Sequence, residues 1–107
     1  MKKVLLIERN ESVADSRADL LRDYGCDVTV SAGDVLPGQF DSVLYVMGDL
    51  NGRTGDCIGE IRRVHPRSKL VIYSTSLAFE IYAQQIKSAH AETLEVIKTP
   101  AQIAAVL

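Results

Sequence analysis

The chain has 107 residues, of which 47% are hydrophobic and 24% are charged, and its formal net charge is −2. This composition is typical of one globular domain spanning residues 1–107, and it excludes a disordered, collagen-like or coiled-coil chain. Because the charge is balanced and no apolar run is long enough to cross a bilayer, we expect this domain to bind neither nucleic acid nor membrane.

Five short segments of apolar or β-branched residues predict β-strands. They comprise residues 4–7, 26–30, 42–47, 70–73 and 94–97. The first and third segments are nearly continuous apolar runs, which is typical of strands buried on both faces of a parallel sheet. The second segment alternates between apolar and polar residues, which predicts an edge strand.

Helical periodicity is found between most of these strands. The predicted helices comprise residues 13–24, 56–64, about 77–89 and 100–107. The first follows a helix-start cluster at Asn10 and stops at Gly25, which suits a left-handed C-terminal residue. The last is expected to begin with Thr99 as its N-cap and Pro100 as its first helical residue.

The connection between the second and third strands is the exception to this alternation. Residues 31–39 include Gly33, Pro37 and Gly38 and are too few and too broken for a regular helix. The predicted fold is therefore α/β, a doubly wound five-stranded parallel sheet in which the helix between strands 2 and 3 is shortened or absent. We expect the sheet to be less covered near the second strand, and ligands to bind at the carboxyl ends of the strands.

Four segments at these strand ends carry a recognisable pattern. They read Val4-Leu5-Leu6-Ile7-Glu8-Arg9-Asn10-Glu11, Phe40-Asp41-Ser42-Val43-Leu44-Tyr45-Val46, Val71-Ile72-Tyr73-Ser74 and Val96-Ile97-Lys98. In order and spacing, over almost the whole chain, they resemble the first, third, fourth and fifth strands of response-regulator receiver domains. The resemblance implies a flavodoxin-like receiver fold and a role in two-component signal transduction.

The same segments depart from the receiver pattern where phosphoryl chemistry takes place. The resemblance places Glu8 at the first of two acidic positions but Arg9 at the second, where a fixed positive charge repels a divalent cation. Val46 aligns with the phosphate-accepting aspartate and has no nucleophilic oxygen. Ser74 and Lys98 match the switch hydroxyl and the lysine, either as working groups or as structural remnants. We therefore expect no catalytic residue, no metal and no cofactor.

Asp49 and Arg9 leave alternatives open. Asp49 lies three residues beyond Val46, and a strand bulge would bring its carboxylate to the acceptor position. Otherwise Asp49 caps the loop or pairs with Arg9. Arg9 either replaces the cation by bridging Glu8 or Asp49, or lies exposed without a partner.

The helix predicted over 77–89 suggests a surface for a partner. Its expected core stripe comprises Ala78, Phe79, Tyr82, Ala83, Ile86 and Ala89. Leu77 and Ile81 lie outside this stripe and form either a contact patch for a homodimer or another protein, or a part of the core under a neighbouring helix. Glu95, which aligns with the aromatic switch of the receiver fifth strand, is assigned to the same face.

The remaining candidates carry weaker signals. The glycine-rich loop 48–55 lacks the lysine–hydroxyl pair of a P-loop and the spacing of a dinucleotide fingerprint. His65 and His90 are interpreted as surface or boundary residues. Cys26 and Cys57 are interpreted as small apolar fillers of a reduced cytoplasmic protein.

These features favour a binding module over an enzyme. The prediction is an atypical receiver, or pseudo-receiver, that signals through protein–protein interaction without phosphoryl transfer. The alternative is a receiver phosphorylated on Asp49, and a third possibility is a small flavodoxin-like domain with a ligand at loop 48–55. The sequence is compatible both with a small complete protein and with one domain of a longer protein.

Overall fold

A computed structural model describes residues 1–47, 54–96 and 98–107, and within them a five-stranded parallel sheet is flanked by helices. The strands are β1 (Lys2–Ile7), β2 (Cys26–Ser31), β3 (Ser42–Val46), β4 (Lys69–Ser74) and β5 (Glu92–Glu95). The helices are α1 (Glu11–Asp23), α2 (Thr54–Val64), α3 (Ser76–Ile81), α4 (Ala83–Ser88) and α5 (Pro100–Val106). This order confirms the predicted α/β fold. None of the helices in the described part of the chain is long and apolar enough to cross a membrane.

The strands are arranged in the order β2-β1-β3-β4-β5, and every neighbouring pair is parallel. The position of β2 at the edge confirms its prediction as an edge strand. The chain leaves β1 in one direction to reach β2 and crosses back over β1 to reach β3. The connections after β1 and β3 therefore run to opposite faces of the sheet, which opens a crevice at their carboxyl ends.

The two faces of the sheet bury separate hydrophobic cores. Along β1, Val4 and Leu6 pack into the core beneath α1 and α5, whereas Leu5 and Ile7 pack into the core beneath α2, α3 and α4. Because successive side chains of a strand point to opposite faces, a strand buried on both faces must be apolar throughout. This is the reason for the continuous apolar run in β1.

Local signals set the ends of α1 and α5 as predicted. Thr99 and Gln102 form a capping box, in which the Thr99 hydroxyl accepts from the Gln102 N–H at 3.3 Å and the Gln102 amide oxygen accepts from the Thr99 N–H at 2.9 Å. At the end of α1, Gly25 has a φ of 86°, a left-handed conformation that glycine adopts without strain. Its N–H donates to the carbonyl of Arg22 at 3.0 Å.

No helix forms between β2 and β3, which confirms the prediction for residues 31–39. The segment is nevertheless attached to the sheet face beneath α2. Three apolar side chains of the segment are partly buried there, those of Val35, Leu36 and Phe40. The ring of His65 bonds the Leu36 carbonyl through Nε2 at 2.7 Å, and the Ser68 hydroxyl donates to the Phe40 carbonyl at 2.6 Å. The side chains of His65 and Ser68 thus hold this segment in place of the backbone hydrogen bonds of a helix.

Most predicted elements differ from the structure by one or two residues at their ends, and two predictions are wrong in more than that. The helix predicted over 77–89 is two helices, because the chain leaves helical conformation at Tyr82, with φ −105° and ψ 22°. Ala83, expected in the core stripe, is exposed as a result. The fifth strand covers Glu92–Glu95, so it begins two residues before the predicted 94–97 and ends before Val96, while residue 97 lies outside the described residues. The reason is that β5 is an edge strand whose register is set by pairing with β4, from Val71 opposite Glu92 onward. Such a strand does not need an apolar run.

Candidate functional site at the carboxyl ends of the strands

Glu8 follows β1 directly and is buried at the base of the crevice. One carboxylate oxygen accepts from the backbone N–H of Asn10 at 3.1 Å, and the other lies 4.0 Å from Nε of Arg17 on α1. Because both oxygens are directed toward the start of α1 and toward a cation, the carboxylate is already compensated within the protein.

Arg9 turns away from Glu8. Its side chain is exposed and lies along Gly33 in the turn after β2, where an added Cβ would stand 3.6 Å from the Arg9 Nε. Among the described residues, the ion pair of Glu8 is with Arg17 and not with Arg9. The predicted Arg9–Glu8 bridge is therefore wrong, because the two side chains leave opposite sides of the strand end. Asp49, the other predicted partner, lies outside the described residues.

The end of β3 is aliphatic and closed. Val46 is 9% exposed and Met47 is buried beside it. The Met47 N–H donates to the carbonyl of Tyr73 at 3.1 Å, and the Ser74 hydroxyl donates to the Met47 carbonyl at 3.1 Å. Ser74 is itself buried, so its hydroxyl holds the ends of β3 and β4 together. This bond gives Ser74 a structural role.

Arg17 and Tyr73 form the opposite wall of the crevice. The Arg17 guanidinium stacks 4.7 Å from the centre of the Tyr73 ring. The Tyr73 hydroxyl donates to the carbonyl of Val96 at 2.6 Å, which fixes the ring. Sequence analysis did not identify this pair, because it joins the first helix to the fourth strand. The available signal was a cation one turn after Ala14 on the buried side of α1.

Two clefts share this wall, since Arg17 and Tyr73 line both. The larger, about 690 Å³, lies over the ends of β1, β3 and β4, and its charged lining residues are Glu8, Arg9 and Arg17. The smaller, about 230 Å³, lies between α1 and α5, and its charged lining residues are Arg17 and Lys98. Among the described lining residues, cations therefore outnumber carboxylates three to one. Within the described residues no three histidine, cysteine, aspartate or glutamate side chains are grouped to hold a metal.

The predicted partner residues lie on another face of the domain. Leu77 and Ile81 of α3 are 58% and 51% exposed, so the alternative that they are buried under a neighbouring helix is wrong. Glu95 at the end of β5 is also exposed and accepts a hydrogen bond from the Ser76 hydroxyl at 2.6 Å. The start of α3 and the end of β5 thus form one continuous surface.

The histidine and cysteine predictions have different outcomes. His65 is buried instead of lying at the surface, because its ring packs edge-on against Phe40 at 5.4 Å. His90 is exposed, as expected. Burial raises the pKa of the Cys57 thiol, which makes it a poor nucleophile. Burial also raises the pKa of the neighbouring Tyr45 above its usual value.

Solved structures with the same fold include proteins of several kinds. A CheY-like response regulator receiver domain protein from Methanospirillum hungatei has a TM-score of 0.81 at 14% identity, covering 98% of this chain and 89% of that one. The receiver domain of the Francisella response regulator 1452 has a TM-score of 0.75 at 18% identity, covering 98% and 92%. An adenylate cyclase from Rhodopirellula baltica has a TM-score of 0.77 at 14% identity, covering 97% and 82%.

These likenesses show that the chain has the receiver fold, as the sequence resemblance implied. No protein-family model matches the sequence, and no curated protein matches it significantly.

Proposed function

We propose that this chain is a pseudo-receiver, a non-enzymatic signalling domain that acts through protein contacts without phosphoryl transfer. The observation that carries the proposal is the end of β3, where buried Val46 stands at the position that the receiver resemblance gives to the acceptor aspartate. An aliphatic side chain there has no oxygen to attack a phosphodonor.

The charges around the crevice support the same function. Phosphoryl transfer in receivers depends on a hard divalent cation held by carboxylates. Among the described lining residues of the larger cleft, Glu8 is the single carboxylate, and it is engaged by Asn10 and Arg17. Arg9 and Arg17 add two fixed positive charges to the same cleft, which disfavours a divalent cation electrostatically.

Phosphodonor treatment followed by intact-mass measurement tests this function. The chain is incubated with acetyl phosphate and Mg²⁺ beside a receiver that retains its acceptor aspartate, which serves as the positive control. We expect the control to gain one phosphoryl group and this chain to gain none. A gain that disappears in Asp49→Asn would overturn the proposal and establish the alternative, a phosphate-accepting receiver.

We propose that the protein contact is made by Leu77, Ile81 and Glu95, with a second copy of the chain or another protein as the partner. Leu77 and Ile81 are one turn apart on α3 and more than half exposed, so neither is needed for the core. Large aliphatic side chains grouped at a surface are typical of protein interfaces. Glu95, held by the Ser76 hydroxyl, supplies a polar rim beside them.

The double substitution Leu77→Glu with Ile81→Lys tests this surface. We expect the variant to lose self-association, measured by light scattering, and to keep its melting temperature, because both side chains are exposed. Leu20→Glu is the matched control, since Leu20 is an exposed aliphatic residue on α1, away from this surface. A collapse of the melting temperature in the double variant would place the two residues in the core and contradict the proposal.

A further inference from the structure

Arg17 is held in an unusual position for a helix-surface cation. Its side chain is 20% exposed, and its guanidinium stacks 4.7 Å from the centre of the Tyr73 ring. The hydrogen bond from the Tyr73 hydroxyl to the Val96 carbonyl fixes that ring. A guanidinium stacked on an aromatic face keeps its five N–H donors in the plane of the stack, free to meet acceptors at its edge.

One donor of Arg17, the Nε–H, lacks an acceptor within the described part of the chain. The Nε–H is buried and has no hydrogen-bond partner there. The nearest carboxylate oxygen, from Glu8, is 4.0 Å from Nε, which is beyond hydrogen-bond length, and the other Glu8 oxygen accepts from Asn10. A buried donor without an acceptor is costly, so the Arg17 guanidinium is not fully satisfied within the protein. An anion from solution would meet the part of this side chain that remains 20% exposed.

The space beside Arg17 is accessible and cationic. Arg17 and Tyr73 line both clefts, the one of about 690 Å³ that Arg9 also lines and the one of about 230 Å³ that Lys98 also lines. Lys98 is half-buried, and the ion pairs found among the described residues do not include it. Two further cations, Arg9 and Lys98, therefore flank the stacked Arg17 guanidinium, with Glu8 as the opposing charge, in a chain whose net charge is −2.

We infer that Arg17, Arg9 and Lys98 form a binding site for a small oxyanion, a phosphate or a carboxylate, that binds without covalent transfer. The Arg17 edge supplies the charge-assisted hydrogen bonds, because a guanidinium can bind two oxygens of such an anion at once. Lys98 and Arg9 contribute charge from either side of the Arg17–Tyr73 wall. Glu8 opposes binding, since its carboxylate lies beside the site.

NMR titration with inorganic phosphate tests the site directly. The Nε–H resonance of Arg17 is the readout, and chloride at matched ionic strength is the control for screening. We expect a saturable downfield shift at millimolar phosphate, accompanied by shifts of the Lys98 amide. A parallel titration with acetate distinguishes a general oxyanion site, which acetate also saturates, from a phosphate site, which it does not. Equal, non-saturating shifts with phosphate and chloride would overturn the inference.

Substitutions at Arg17 and at Glu8 should change the affinity for phosphate in opposite directions. Arg17→Met, which keeps an apolar stem over Tyr73, should weaken phosphate binding about tenfold or more. Arg17→Lys should weaken it less, because the charge remains and the two-pronged geometry is lost. Glu8→Gln should tighten binding several-fold, about fivefold for one charge removed at close range in water.

Arg63→Met is the matched control, because Arg63 is an exposed arginine paired with Glu60 on α2, away from both clefts. It should leave phosphate binding unchanged. The inference is wrong if Arg17→Met binds phosphate as the original chain does, or if Arg63→Met weakens binding equally. Inorganic phosphate is not a phosphodonor, so this result is independent of whether acetyl phosphate modifies the chain.

Discussion

Arg62 on α2 joins two helix ends to the turn that precedes β4. Its Nε donates to the carbonyl of Ala89, the C-cap of α4, at 2.7 Å. Its Nη1 lies 3.0, 3.2 and 2.9 Å from the carbonyls of His65, Pro66 and Ser68. The last carbonyls of a helix have no partner within the helix, and a positive charge near them is favourable. We therefore expect Arg62→Ala to destabilise the domain strongly.

The size of the effect follows from the number of donors. Nη1 carries two hydrogens, so the three carbonyls around it share two N–H groups, and with Nε the arginine makes three charge-assisted bonds. Such bonds contribute about 1.5–3 kcal/mol each when buried, and less here because the site is partly exposed. A loss of about 2–4 kcal/mol in the free energy of unfolding is therefore expected, or about 8–16 °C in melting temperature for a domain of this size.

Thermal and urea unfolding followed by circular dichroism provide the measurement. Arg63→Ala is the control within the same helix, since Arg63 is 73% exposed and its ion pair with Glu60 spans 3.6 Å. It should change stability by less than about 0.5–1 kcal/mol. Arg62→Lys should be intermediate, because a single ammonium cannot reach acceptors on both sides. If Arg62→Ala is no more destabilising than Arg63→Ala, the described contacts do not stabilise the fold.

Three further outcomes are expected. Mg²⁺ should produce no saturable amide shifts at Glu8 and Lys98, because the clefts are cationic, and millimolar saturation there would contradict this account. His65→Ala should accelerate amide exchange over residues 32–39 by removing the bond to the segment, and unchanged exchange would show that the bond is unimportant. Burial raises the pKa of Tyr45, so only the unfolded chain ionises this phenol as the pH rises past about 10. Stability in urea should therefore fall as the pH rises above about 10, and it should fall less in Tyr45→Phe; equal losses would refute the assignment.

The parts of the fold that were predictable are those determined by residues close together in the sequence. The continuous apolar run of β1 reflects burial on both faces, and the Thr99–Gln102 box marks the start of α5 within four residues. The break between α3 and α4 at Tyr82 has no local sequence signal of this kind, because neither glycine nor proline is found there. The start of β5 was also missed, since its register depends on pairing with β4, a contact distant in sequence.

The candidate site also has a part that was predictable from the sequence and a part that was not. Glu8, Val46 and Lys98 were placed at one edge because the carboxyl ends of parallel strands meet there, a consequence of topology alone. The orientation of side chains was not predictable from topology. Arg9, adjacent to Glu8, turns toward Gly33, and Arg17, eight residues after Arg9, lies beside the carboxylate instead.

Arg17, and not Arg9, lies beside the Glu8 carboxylate, and this placement is compatible with the fold although most of the described charged residues that line the crevice are cations. The sheet is stabilised by two apolar cores, and the strand ends at Glu8 and Val46 are held by backbone and hydroxyl bonds. Arg17 stacks on Tyr73 with its side chain 20% exposed, so part of its charge remains solvated although its Nε–H is buried. Arg9, Arg17 and Lys98, the cations of the proposed anion site, lie outside both buried core clusters, whereas Val46 and Tyr73, which border the site, belong to one of them.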